Sequence, residues 1–132
     1  MPRKTDANNP ADWLFIIESD LAGLHLWARH EISYGACRSK LAEVLEKTMK
    51  AELIRLGWIL EKTHDLRKLG GYLAERESDL IVGLRPLCDA LAEAYFADRY
   101  VGFDLEDPDW PTLRGQLEAV SALAAKIRTR LP

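Results

Sequence analysis

Residues 46–69 read EKTMKAELIRLGWILEKTHDLRKL, two helical signals joined by a turn. Up to Leu56 the run has no proline and sets Met49, Leu53 and Leu56 at three- and four-residue spacing, the stripe of a helix that faces a core. Gly57 is suited to ending that helix, because glycine takes the left-handed backbone conformation at little cost. Thr63 predicts a new N-cap, with a third helix starting at His64 and Asp65 in its first turn, where the helix dipole favours an anion. Gly70 and Gly71 predict that this helix is short or bent.

Read towards the N-terminus, the second helix extends back to about Ile32, with Leu41 and Leu45 on its apolar side and Arg38, Glu43, Glu46, Lys47 and Lys50 outside. Asn9 followed by Pro10 has the chemistry of an N-cap and first helical residue. From there Trp13, Ile16, Ile17, Leu21, Leu24 and Ala28 form the stripe of a first helix running to about Arg29. Read towards the C-terminus, Ser78–Leu84 is a weaker helical turn, and Pro86 suits the first turn of a fourth helix carrying Leu87, Leu91, Ala94 and Tyr95. The run VGFDLEDPDWP, residues 101–111, reads as a loop. A last helix follows to Arg130, with Leu113, Leu117, Val120, Leu123, Ala124 and Ile127 inside and Trp110 as a staple-like anchor at its entry. No segment alternates with a period of two between hairpin signals. The fold expected is all-α, a four-to-five-helix up-and-down bundle, with residues 1–10 a frayed N-terminal segment and 11–132 a single domain.

With 132 residues, 48% of them hydrophobic, the chain is long enough for one real core. Its 18 basic and 21 acidic residues give a formal charge of -3, so no global positive field gathers nucleic acid or anionic lipid, and any RNA contact is local. Cys37 and Cys88 read as buried small apolar side chains. With no charged-then-apolar leader and no apolar run of the ~20 residues a bilayer needs, a soluble cytoplasmic protein is expected, without a membrane partner.

Several side chains carry chemistry. Glu46 and Lys50 are four apart, as are Glu43 and Lys47, which reads either as surface ion pairs or as Lys50 binding a phosphate while Glu46 orients it. His64, at a helix start, either packs the turn or serves as acid, base or phosphate donor beside free helix amides. Arg99 suits bidentate phosphate binding and Tyr100 stacking on a base; alternatively Tyr95, Phe96 and Tyr100 close one end of the core. His25 and His30, five apart, do not share a helical face as metal ligands would, and read as boundary or surface residues. A His64-Asp65 metal centre needs a further His and Asp that the short third helix does not offer. No metal and no cofactor is expected.

EKTMKA, residues 46–51, KTHDL, residues 62–66, and YFADRY, residues 95–100, occur in an order and at spacings that resemble the HEPN domain. This is a small helical bundle of prokaryotic toxin–antitoxin and nucleotidyltransferase-associated proteins. The resemblance covers about Asp12 to Phe103. It implies a bundle that homodimerises, and it raises the phosphate reading of Glu46, Lys50, His64, Asp65, Arg99 and Tyr100. The family's ribonucleases set an Arg, four to six intervening residues and a His at a dimer cleft, for metal-independent cleavage by the RNA's own 2′-hydroxyl. No arginine of this chain has a His at that spacing. Four positions intervene between Arg99 and Asp104, an anion that repels phosphate. Ala42 and Glu43 stand where the family has two glutamines, and Val101 where it has proline. The expectation is therefore binding of a nucleotide or nucleic-acid phosphate without turnover. The alternatives are a metal-independent ribonuclease of a toxin–antitoxin type, with His64 and Arg99 catalytic, and a non-enzymatic interaction partner of a separately encoded nucleotidyltransferase. For the dimer, the second and fourth helices are the expected contact.

Overall fold

A computed structural model describes residues 2–97, 101, 102, 105 and 107–132, the side chains of Tyr95 and Phe96 excepted. Among these, the regular structure is helical: α1 (Pro10–Arg29), α2 (Tyr34–Arg55), α3 (Leu66–Glu75), α4 (Ile81–Leu91), α5 (Ala94–Ala97) and α6 (Trp110–Thr129). The all-helical bundle expected from the sequence is the one observed, with α5 a single turn.

α2 is the axis of the bundle. Helices α1, α3, α4, α5 and α6 all pack on it. Its buried residues fall on every side rather than on one stripe, from Cys37 and Leu41 through Val44, Leu45 and Met49 to Leu53. What stays open is a stripe of Ala36, exposed, with Lys40, Glu43 and Lys47 partly buried, and the rest of the circumference is covered. Glu46 and Lys50, expected outside, are consequently buried.

Local chemistry sets the ends. The Asn9 side chain accepts from the Ala11 amide at 3.0 Å, with Pro10 as the first helical residue. The segment before it, expected to fray, is tied back: Asp12 accepts from the Asp6 amide at 2.8 Å, and the Trp13 indole donates to the Ala7 carbonyl at 2.8 Å. Three helices end in one motif. After α2, Gly57 has φ +89, its amide donates to Ile54 and the Trp58 amide to Leu53. After α1, Glu31 at φ 52 does the same, with Glu31 to Ala28 and Ile32 to Trp27; after α3, Glu77 at φ 54 repeats it, with Glu77 to Ala74 and Ser78 to Leu73. Each satisfies carbonyls that the last helical turn leaves without a donor.

Three boundaries differ from the sequence reading. Asp65, not Thr63, caps α3, accepting from the Lys68 amide at 3.1 Å. α4 begins at Ile81, so Pro86 lies inside it rather than in its first turn. The helix starts early because Ser78 caps the preceding turn, its hydroxyl accepting from Leu80 at 3.2 Å and its carbonyl from Ile81 at 3.3 Å. Pro86 removes the amide that would reach Val82, an exposed residue. Ile16, expected inside α1, points outwards; Leu14, Ile17, Leu21, Leu24 and Ala28 face the core. Trp110 is the first residue of α6, capped by Asp109, and its ring meets Tyr34 edge-on at 5.3 Å.

Candidate functional site

Glu46 and Lys50 lie on successive turns of α2, and the Lys50 ammonium donates to Glu46 Oε2 at 2.9 Å. Both side chains are almost fully buried, at 7% and 6% exposure, so the surface ion pair that their spacing suggests is a buried one. The other carboxylate oxygen, Oε1, is 2.7 Å from Nδ1 of His64. An ionised carboxylate only accepts, so the imidazole proton belongs on Nδ1. The three groups form a chain from the interior outwards: ammonium, carboxylate, imidazole. Of the three, the imidazole is the one that reaches the surface, with 54% of the His64 side chain exposed.

The turn before α3 holds that imidazole in place. The Thr63 hydroxyl accepts from the Asp65 amide at 3.2 Å, and Asp65 then caps α3, so the residues on either side of His64 are fixed by their own side chains. The loop leading there is fastened to α3 through Glu61, which accepts from the Tyr72 hydroxyl at 3.2 Å and pairs with Lys68 at 3.1 Å. Trp58 packs on Tyr72 with ring centroids 5.9 Å apart. In the KTHDL run, Thr63 and Asp65 thus brace the turn on either side of His64, and Asp65 caps α3.

Of the residues singled out from sequence, Glu46, Lys50, His64 and Asp65 come together at the α2–α3 junction. Arg99 and Tyr100 lie outside the described residues, as do the side chains of Tyr95 and Phe96. α5, which leads into Arg99 in sequence, packs on α2. Among the described residues, no three His, Cys, Asp or Glu side chains gather as a metal ion would need, and no helix is long and apolar enough to cross a membrane. Cys37 and Cys88 are free and buried, and burial pushes the Cys88 thiol up to about 11.

Two arrangements went unread in the sequence. Glu52, 1% exposed, accepts from Arg55 and, at 2.6 Å, from Arg130, which also reaches Asp79 at 2.5 Å. This clamp joins the end of α2, the entry to α4 and the end of α6. The Arg130 guanidinium, helped by Lys126, holds the Asp79 carboxyl down to about 2. The Glu52–Arg55 spacing was the one local signal for it. His25, read as a boundary or surface residue, is half-exposed and also bridges α1 to α6, with Nε2 2.9 Å from the Ser121 hydroxyl and Nδ1 3.8 Å from Glu118.

An enclosed central helix with a carboxylate-held histidine at its side defines a helical-bundle domain of the kind the EKTMKA and KTHDL runs suggested. The HEPN domain family model matches residues 11–129, and the chain belongs to that family. No curated protein and no solved structure matches it.

Proposed function

We propose that this HEPN domain binds a nucleotide or nucleic-acid phosphate at the α2–α3 junction, with His64 as the group that meets the ligand. The observation that carries this reading is the 2.7 Å contact from Glu46 to Nδ1 of a half-exposed imidazole. A proton held on Nδ1 fixes both the tautomer and the ring orientation of the imidazole. Lys50 balances the buried carboxylate, so its ammonium acts on the ligand through Glu46 and His64 rather than by direct contact. Asp65 keeps the turn in shape. Arg99 and Tyr100 are expected to complete the site, on the strength of their sequence proximity to α5 and the packing of α5 against α2.

Binding without turnover is favoured by the missing Arg-to-His spacing and by Asp104 in its place. One observation supports a second reading, a metal-independent ribonuclease. A histidine backed by a buried carboxylate is the arrangement a general base requires, and Arg99 would then stabilise charge on the phosphate.

Both readings are tested with a labelled structured RNA and a labelled ATP analogue at low salt in excess EDTA, using wild type, His64→Gln and Arg99→Ala. Binding that weakens about tenfold in each variant, roughly the worth of one hydrogen bond to a charged group, with the RNA intact throughout, is the expected result. Cleavage by wild type that either variant loses would replace binding with catalysis. No binding and no cleavage by wild type would remove both readings and leave a protein-interaction module for a nucleotidyltransferase.

A further inference from the structure

A cavity lies between the last two turns of α1 and the first half of α6, and it shares no residue with the α2–α3 junction. Its volume is about 470 Å³, and it is lined by His25, Ala28, Arg29, Arg114, Leu117 and Glu118. Helical spacing explains which side chains meet there. His25 and Arg29 are four apart on α1, and Arg114 and Glu118 are four apart on α6, so each pair shares one side of its helix. Ala28 and Leu117, both 3% exposed, close the bottom with apolar surface. The His25 ring spans the two helices, its Nε2 2.9 Å from the Ser121 hydroxyl.

The charges around this cavity are not spent on one another. Arg114 and Glu118 have the spacing of an ion pair along a helix, yet Arg114 reaches across to α1 instead. Its Nη2 donates to the Ala28 carbonyl at 3.2 Å and lies 3.5 Å from Glu31. That holds the guanidinium in place and leaves Nε and Nη1 of its fork without a partner among the described residues. Arg29, exposed at the rim, pairs with no carboxylate among the described residues. Glu118 is 75% exposed, and its one ion-pair contact among the described residues is to Nδ1 of His25 at 3.8 Å, beyond hydrogen-bond distance. The cavity thus offers two guanidiniums and one carboxylate over an apolar bottom. A simple anion there is opposed by Glu118 and a simple cation by the arginines, whereas a ligand with both charges finds an opposite charge for each.

We propose that this cavity binds a small amphoteric molecule, a carboxylate and a protonated amine on an apolar body, the chemistry of a free aliphatic amino acid. Arg29 and Arg114 take the carboxylate through their planar forks. Glu118 accepts from the ammonium, and Ala28 and Leu117 face the apolar body. This goes beyond the phosphate reading and does not depend on it.

Titration calorimetry and nitrogen–proton NMR on the whole chain test it with three probes: leucine, isocaproate, which lacks the amine, and isoamylamine, which lacks the carboxylate. Leucine should bind with a Kd of about 1 mM and shift the side-chain signals of Arg29 and Arg114. Each of the other two should bind about tenfold more weakly, the loss of one charged, hydrogen-bonded end. Arg29→Gln and Glu118→Gln, both at exposed positions, should each weaken leucine about tenfold, with helicity by circular dichroism and the His64 response to ATP as in wild type. No leucine binding at about 10 mM, an analogue that binds as tightly as leucine, or folded variants that bind leucine as wild type does would each overturn the proposal. The comparison of the three probes uses wild type alone, so it decides the matter even if a variant misfolds.

Discussion

Lys50 shows how one residue changes meaning between sequence and structure. Four residues after a glutamate it has the signature of a surface ion pair worth a few tenths of a kcal/mol, but inside the bundle the same pair is buried. Two charges taken out of water are costly, and what keeps them there is each other and His64. Removing one partner alone is therefore expected to be worse than removing both. Lys50→Met should lower the free energy of unfolding in urea by about 3–5 kcal/mol, since Glu46 is left buried without its cation, and adding Glu46→Leu should restore most of that loss. Equal loss in the single and double variants would show that the pair is not coupled. None of this was legible in the spacing, because i,i+4 charges look alike whether the helix is at the surface or enclosed. The role of Thr63 and Asp65 was nearer the surface of the sequence. Their side chains bond to backbone two or three residues away, so local chemistry decides the turn, and only the choice of cap was read one step early.

Helix ends and helix faces were read with unequal success. Asn9-Pro10 and Gly57 gave two ends correctly because a cap is a property of adjacent residues. Glu31 and Glu77 make the same left-handed stop with a side chain that pays a steric penalty there, and no residue preference announced them. Glu77→Gly is expected to stabilise the fold by about 1 kcal/mol, measured as a rise in the urea midpoint; a decrease would mean that the glutamate side chain contributes more than its backbone costs. Ile16 continues the three- and four-residue spacing of the core stripe, yet it points outwards, because α1 has two apolar faces and periodicity alone does not tell which one the bundle covers. On the same helix, Gly23→Ala should raise the stability by about 1 kcal/mol, seen as a rise in the urea midpoint.

At the scale of the whole molecule, the enclosure of α2 is the feature on which the rest depends. It buries Leu41, Leu45, Met49 and Leu53 at 1% exposure or less, each worth about 1.5–3 kcal/mol when fully removed from water, and it brings Glu46 and Glu52 inside with their basic partners. Glu52 closes the far end of the bundle through Arg130 to Asp79. The Asp79 carboxyl is lowered from 3.8 to about 2 in the folded chain, with Arg130 the first cause. A lowered carboxyl stabilises the fold above its unfolded value and loses that contribution as pH falls through the folded one. Acid unfolding of wild type should therefore show a loss of stability between about pH 4 and pH 2 that Asp79→Asn lacks, and identical pH profiles would remove Asp79 from the clamp. Family membership and the helical class could be reached from EKTMKA and KTHDL, whereas the clamp and the buried pair depend on contacts between residues far apart in sequence. The central claim is that the enclosed helix holds His64 by Nδ1 so that its imidazole meets a phosphate. The most direct measurement is the long-range nitrogen–proton NMR spectrum of the His64 ring, before and after addition of ATP or a short RNA. The account predicts an Nδ1-protonated ring whose Nε2 signal moves on addition while the Nδ1 tautomer persists. An Nε2-protonated ring in the free protein, or His64 signals that stay fixed while other resonances respond to the ligand, would contradict it.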